Sequence, residues 1–184
     1  MTRIVALVAL LAAVAGGVVL YAEKAQPAWY LRVRYPLRYS NVVVGHARHY
    51  DLDAALLAAV IYRESKFNAD AKSDSGAIGL MQLLPSTAEG IAIRTGGSKF
   101  VVSDLYEPEI NVRYGAYYLH SLMTKYGSAR LALAAYNAGQ KNVDDWLAAG
   151  KGIQFPETEQ YVADVLHLRD IYAKAYGKEL GATG

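Results

Sequence analysis

A single glutamate carries the clearest chemical signal in this chain. Glu64 closes an apolar helical pattern, in the stretch YRESKFNADA, and a polar loop rich in Gly, Ser and Asp follows at once, KSDSGAIGLMQ. Leu57, Val60 and Ile61 stand seven, four and three residues before it, so helical spacing places all four on one face. Desolvation on an apolar face disfavours a carboxylate and raises its pKa. A carboxyl that keeps its proton near neutral pH is suited to general acid catalysis. The competing reading is structural, since a Glu at a helix end often curls back into water. Spacing alone leaves both open.

Other residues in the chain have chemistry and an ordinary explanation side by side. LALAAYNAG ends a helix with Tyr136, Asn137 and Gly139, which is normal C-cap composition. Glu157 and Tyr161, four apart behind Pro156, suit a helix start, where the helix dipole favours an acid. Ser73 and Asp74 fit turn chemistry in the loop after Glu64. Fifteen tyrosines against three phenylalanines suit either a core or a cleft that stacks sugar rings. The four histidines, His46, His49, His120 and His167, form no ligand pattern, so no metal is expected. The GAIGL segment follows no strand, which argues against a nucleotide loop. No Ser-His-Asp arrangement is suggested.

The elements that must position these residues read as helices throughout. Helices are expected over 39–50, 54–64 with Asp53 as its cap, 85–95, 108–125, 129–137 behind Ser128, 142–149 and 156–176. Pro85, Pro108 and Pro156 sit at starts; Gly96 and Gly127 sit at ends. Residues 65–79 read as loop. The fold class is all-α.

Before this domain, residues 4–21 form an uncharged apolar run, just long enough to cross a bilayer. A transmembrane anchor is expected over 1–21, with a cleaved signal peptide as the alternative. Residues 22–38 read as a basic juxtamembrane linker, and 39–184 as the folded domain. Residues 1–50 hold six basic groups and one acid, Glu23, whereas the remainder holds thirteen basic and sixteen acidic groups. The body thus has no basic stripe for nucleic acid. The neck suits anionic headgroups, although its Arg residues leave orientation open on charge alone. With no cysteine, the chain has neither disulfides nor a thiolate metal site.

Taken in order, four segments carry a resemblance: ESKFNADAKSDSGAIGLMQLLPSTA, DLYEPEINVRYGAYYLHSLMTKYG, LALAAYNAGQKNVDDW and FPETEQYV. Together they resemble the soluble lytic transglycosylase (SLT) family of lysozyme-like enzymes, over roughly residues 38–176. That resemblance implies a monomeric, lysozyme-like domain acting on peptidoglycan without a cofactor. The family cleaves the bond between N-acetylmuramic acid and N-acetylglucosamine and leaves a 1,6-anhydromuramoyl end. It implies Glu64 as the single acid and base. It also implies substrate contacts from Ser73, Met81, Gln82, Tyr136, Asn137, Glu157 and Tyr161, with the Tyr136 hydroxyl close to the acid. Leu84 departs from a Met common in the family. Two rivals remain at this level. One is a goose-type-lysozyme-like hydrolase in which Asp70 or Asp74 orients water; the other is a wall-binding scaffold without activity.

Overall fold

The computed structural model describes residues 2–181; Met1 and residues 182–184, the ends of the expected segments, lie outside the described residues. Among the described residues the chain is helical and forms no strand, only the isolated bridges Lys72–Ile78 and Ile78–Leu83. It falls into two compact units that divide after Pro36.

The first unit holds α1 (Thr2–Ala25) and α2 (Ala28–Arg34). Ile4–Ala25 is long and apolar enough to cross a membrane, with a mean hydropathy of 2.6. The expected linker is therefore partly helical. α1 continues four residues past 21, and Pro27, which cannot continue a helix, starts α2 as its N-cap.

The second unit holds α3 (Ser40–His49), α4 (Ala54–Ser65), α5 (Pro85–Thr95), α6 (Pro108–Tyr126), α7 (Ala129–Ala138), α8 (Gln140–Ala148) and α9 (Pro156–Tyr176). A 3₁₀ turn, Val102–Tyr106, leads into α6. The three prolines each occupy the first helical position, where a missing N–H costs nothing. Ser128 precedes α7, but its hydroxyl makes no cap bond.

α4 is the central helix. Every residue from Ala55 to Ile61 is buried, not one stripe alone, so the run is apolar all round because it is enclosed all round. It packs chiefly on α9, which in turn contacts α7. Burying Leu57, Val60 and Ile61 contributes about 1.5–3 kcal/mol each. Asp53 starts α4 by accepting from the Ala55 and Leu56 amides at 2.8 and 3.3 Å. Its second oxygen accepts from Arg169 Nε at 2.7 Å, tying α4 to α9. Asp53→Ala should cost about 1–2 kcal/mol, mostly through the cap, because the ion pair is half exposed. Urea denaturation at two salt concentrations checks this; a loss that vanishes in high salt would assign it to the ion pair instead.

A second apolar cluster joins Ile78, Leu83, Ala88, Ile91, Leu105 and Tyr114. It fastens the long loop after α4 to α5 and α6.

Candidate active site

The chain must turn sharply after Glu64 to bring a loop back over it. Lys66 and Phe67 both take left-handed conformations, at φ 52° and 61°. Neither is glycine, so this costs about 1–2 kcal/mol each. Burial of the Phe67 ring, 1% exposed, offsets the strain. Ser65 then pins the loop, its Oγ donating to the Leu80 carbonyl at 2.8 Å.

Asn111, wholly buried on α6, organises the returning segment. Its Oδ1 accepts from the Met81 amide at 2.8 Å, and its Nδ2 donates to the Ile78 and Leu105 carbonyls at 2.9 and 2.8 Å. The Met81 carbonyl accepts from the Tyr136 hydroxyl at 2.8 Å. Gln82, at φ 48°, turns its amide back onto the Ala71 and Gly79 carbonyls.

These contacts leave a groove of about 420 Å³ lined by Glu64, Ser73, Ser75, Gln82, Leu84, Thr87, Tyr118, Tyr136 and Asn137, among others. Glu64 is the one acidic residue among the described residues that line it. Its Oε1 accepts from the Tyr161 hydroxyl at 2.6 Å. Burial pushes the Glu64 carboxyl above its ordinary pKa of 4.5, and the Tyr161 bond and the Arg63 charge only partly oppose this. Burial, followed by the nearby Glu64 charge, lifts the phenols of Tyr161 and Tyr136 well above their usual range. Both therefore remain donors at neutral pH. Arg63 is set over the Tyr161 ring at 5.4 Å and held by Asp164 at 3.0 Å.

Of the residues singled out in the sequence, Glu64, Ser73, Gln82, Tyr136 and Asn137 line one groove. Three are placed otherwise. The Met81 side chain is fully buried and packs towards Gly115, where a Cβ would stand 2.2 Å from its sulfur; only its backbone serves the groove floor. Glu157 is exposed and is not among the lining residues. Its neighbour Thr158 is the buried one, donating to Asn137 Oδ1 at 2.8 Å. Tyr161 is 2% exposed and hydrogen-bonds Glu64 itself, whereas Tyr136 shares the groove with Glu64 but donates its hydrogen bond to the Met81 carbonyl.

Sequence reasoning missed Asn111 and Tyr118. Tyr118 packs at 5.5 Å from the Tyr136 ring, tilted by 45°. Its only signal was a place in a segment already singled out, on a helix with many tyrosines. A buried Asn within an amphipathic helix is a signal that can be sought: a full set of side-chain bonds in a core marks a loop anchor.

If Glu64 titrates as this geometry implies, Tyr161→Phe removes a donor that favours the charged form. The carboxyl pKa then rises, and the alkaline limb of any activity that needs the acid protonated moves to higher pH. A pH–rate profile checks this; a limb moving to lower pH would contradict it.

The sequence model of the Transglycosylase SLT domain family matches residues 42–155. The soluble lytic murein transglycosylase of Salmonella typhimurium is 33% identical over 82% of this chain and 25% of that protein. Among solved structures, an inactive Glu-to-Gln mutant of the lytic transglycosylase Slt from Pseudomonas aeruginosa superposes with a TM-score of 0.73 at 34% identity, covering 84% of this chain and 26% of that one. The 70 kDa soluble lytic transglycosylase of Escherichia coli in complex with bulgecin A gives 0.75 at 30% identity, covering 84% and 27%. The chain thus spans about a quarter of the length of these relatives. With its helical fold, its long loop anchored by Asn111 and its groove around Glu64, the chain belongs to the Transglycosylase SLT domain family.

Proposed function

We propose that this protein is a peptidoglycan lytic transglycosylase that cleaves the β-1,4 bond between N-acetylmuramic acid and N-acetylglucosamine and leaves a 1,6-anhydromuramoyl end. The observation that carries the reading is the solitary carboxyl of the groove. Most glycosidases that add water use two carboxyl groups, one as acid and one as base or nucleophile. Asp70 and Asp74, the candidates for a second role, are both exposed and outside the groove lining. A two-carboxyl hydrolytic mechanism therefore lacks its second group among the described residues.

One carboxyl suffices if the nucleophile is within the substrate. Glu64, protonated because it is desolvated, gives its proton to the leaving glycosidic oxygen. The positive charge developing at the anomeric carbon is met by the substrate's 2-acetamido group and the dipoles of the groove. The Glu64 carboxylate then takes the proton of the muramic 6-hydroxyl as that oxygen attacks the anomeric carbon. The carboxyl ends as it began, protonated, and no water is consumed. Tyr161 steadies the carboxylate between the two proton transfers. Ser73, Gln82, Tyr136 and Asn137 supply the polar lining for the sugars, and Tyr118 with Tyr136 supplies rings.

We assign α1 to a membrane anchor. Its segment Ile4–Ala25, charged only at Glu23 and Lys24 near its end, spans roughly 33 Å, close to the hydrocarbon thickness of a bilayer. The domain then works from the outer face of the membrane, where peptidoglycan lies, with the basic neck at the headgroups and the catalytic domain following as a monomer.

The test is mass spectrometry of fragments released from purified sacculi by the full chain in detergent. Anhydro ends are expected; reducing ends would assign a hydrolase, and bound strands left uncut would assign a scaffold.

A further inference from the structure

A second concavity of about 450 Å³ lies between the last turn of α5 and the middle of α6, with His49 and Tyr50 from the end of α3. The volume is in the range of small-ligand sites. Its chemistry differs from that of the groove. Arg113, His49 and the phenols of Tyr50, Tyr114 and Tyr117 line it, and among the described residues no acidic one does.

Those donors are uncommitted. Among the described residues, none of the three phenol hydroxyls is hydrogen-bonded to the protein, and none is a buried orphan, so each reaches solvent. The Arg113 guanidinium faces the Tyr114 ring at 5.1 Å and, among the described residues, pairs with no carboxylate. Glu109, one helical turn before it, is bound instead to His46 at 2.7 Å. Burial raises the Tyr50 phenol, and the Arg113 charge, in the same lining, opposes that. Gly97 completes the wall: a Cβ there would stand 2.6 Å from the Tyr114 hydroxyl. His49 packs edge-on to Tyr50 at 4.6 Å. A cation, a histidine and three phenols with no acid among them form a receptor for an oxyanion.

The place of this pocket suggests which oxyanion. α5 carries Thr87 in the groove and Thr95 in the pocket, eight residues apart, or roughly 12 Å along the helix. The sugar backbone of peptidoglycan is neutral; its carboxylates hang on the peptides attached to muramic acid. We infer that the Arg113–Tyr117 pocket binds a carboxylate of the peptide appended to the glycan strand, so that the domain distinguishes peptide-bearing from bare strands. This rests on peptidoglycan as the substrate of the groove.

Binding decides it, measured by calorimetry with the full chain in detergent and Glu64→Gln in place so that nothing is cut. Two ligands are compared: uncross-linked glycan strands carrying peptides, and the same strands stripped by an amidase. Arg113→Gln should weaken binding to peptide-bearing strands roughly tenfold and leave bare strands within about twofold. Free stem peptide should compete and inorganic phosphate should not. Equal loss on both strands, loss on neither, or competition by phosphate alone would overturn the assignment. Arg113 is exposed, so folding should survive the change; unaltered thermal melting verifies this. Product release by the unmutated chain is scored separately. A chain that cuts neither strand yet shows the Arg113 dependence would refute the proposed reaction and leave the pocket standing.

Discussion

Glu64→Gln should lower the release of anhydro fragments by a factor of about 10³ or more, since one group supplies both proton transfers. Glutamine keeps the shape and still accepts from Tyr161, so glycan binding should stay within about threefold of the original. The same substitution has a stability signature with a definite sign. The folded-state pKa of Glu64 is raised by burial, so its stabilising contribution is complete below the ordinary value of 4.5 and is lost as pH rises through the folded value. Gln has no charge to desolvate. The Gln variant should therefore gain thermal stability relative to the parent as pH moves from about 4 to about 8. Calorimetric melting across that range checks it. A stability difference that stays flat across the range would mean that Glu64 is solvated, and one that shrinks with rising pH would mean that its charged form is favoured by folding; either would remove the acid role.

Gly79→Ala should be the most damaging single change to the fold of the site. Gly79 has φ 79°, and a Cβ there would lie 2.2 Å from both the Asn111 amide nitrogen and the Leu105 carbonyl oxygen. Leu105 is held by backbone and Asn111 by three bonds, so neither can give way without breaking the clamp on Met81. The expected loss is about 3–5 kcal/mol, measured from urea midpoints. Gly76 provides the control. Its φ is 82°, but nothing lies within 4 Å of the place its methyl would take, so Gly76→Ala should cost only the backbone conformation, about 1–2 kcal/mol. Equal losses at the two positions would show that conformation, not the Asn111 clamp, governs the loop. Activity should follow stability at Gly79, because the clamp also carries the carbonyl that holds Tyr136.

The helices were legible because their signals are local. Pro85, Pro108 and Pro156 start helices, Gly96 and Gly127 end them in left-handed turns, and Asp53 caps α4 within two to three residues of itself. Glu64 was legible for a related reason: its three apolar neighbours are all within seven residues, and desolvation follows from them. The basic composition of 22–38 reads as a linker, yet the seven residues after Pro27 form a short helix that contains Arg32 and Arg34.

What the amino-acid order determined by itself, then, was the helical class, the acid at the end of α4 and the polar loop that follows it. Packing alone decided which side chains meet that acid. Tyr161 comes from 97 residues away, Met81 turns inward, Glu157 turns outward, and Asn111 ties the loop at Ile78 and Met81 to the turn at Leu105. Periodicity states which face of a helix is buried but not what it is buried against. That identity is settled only when α4, α6, α7 and α9 come together around one carboxyl.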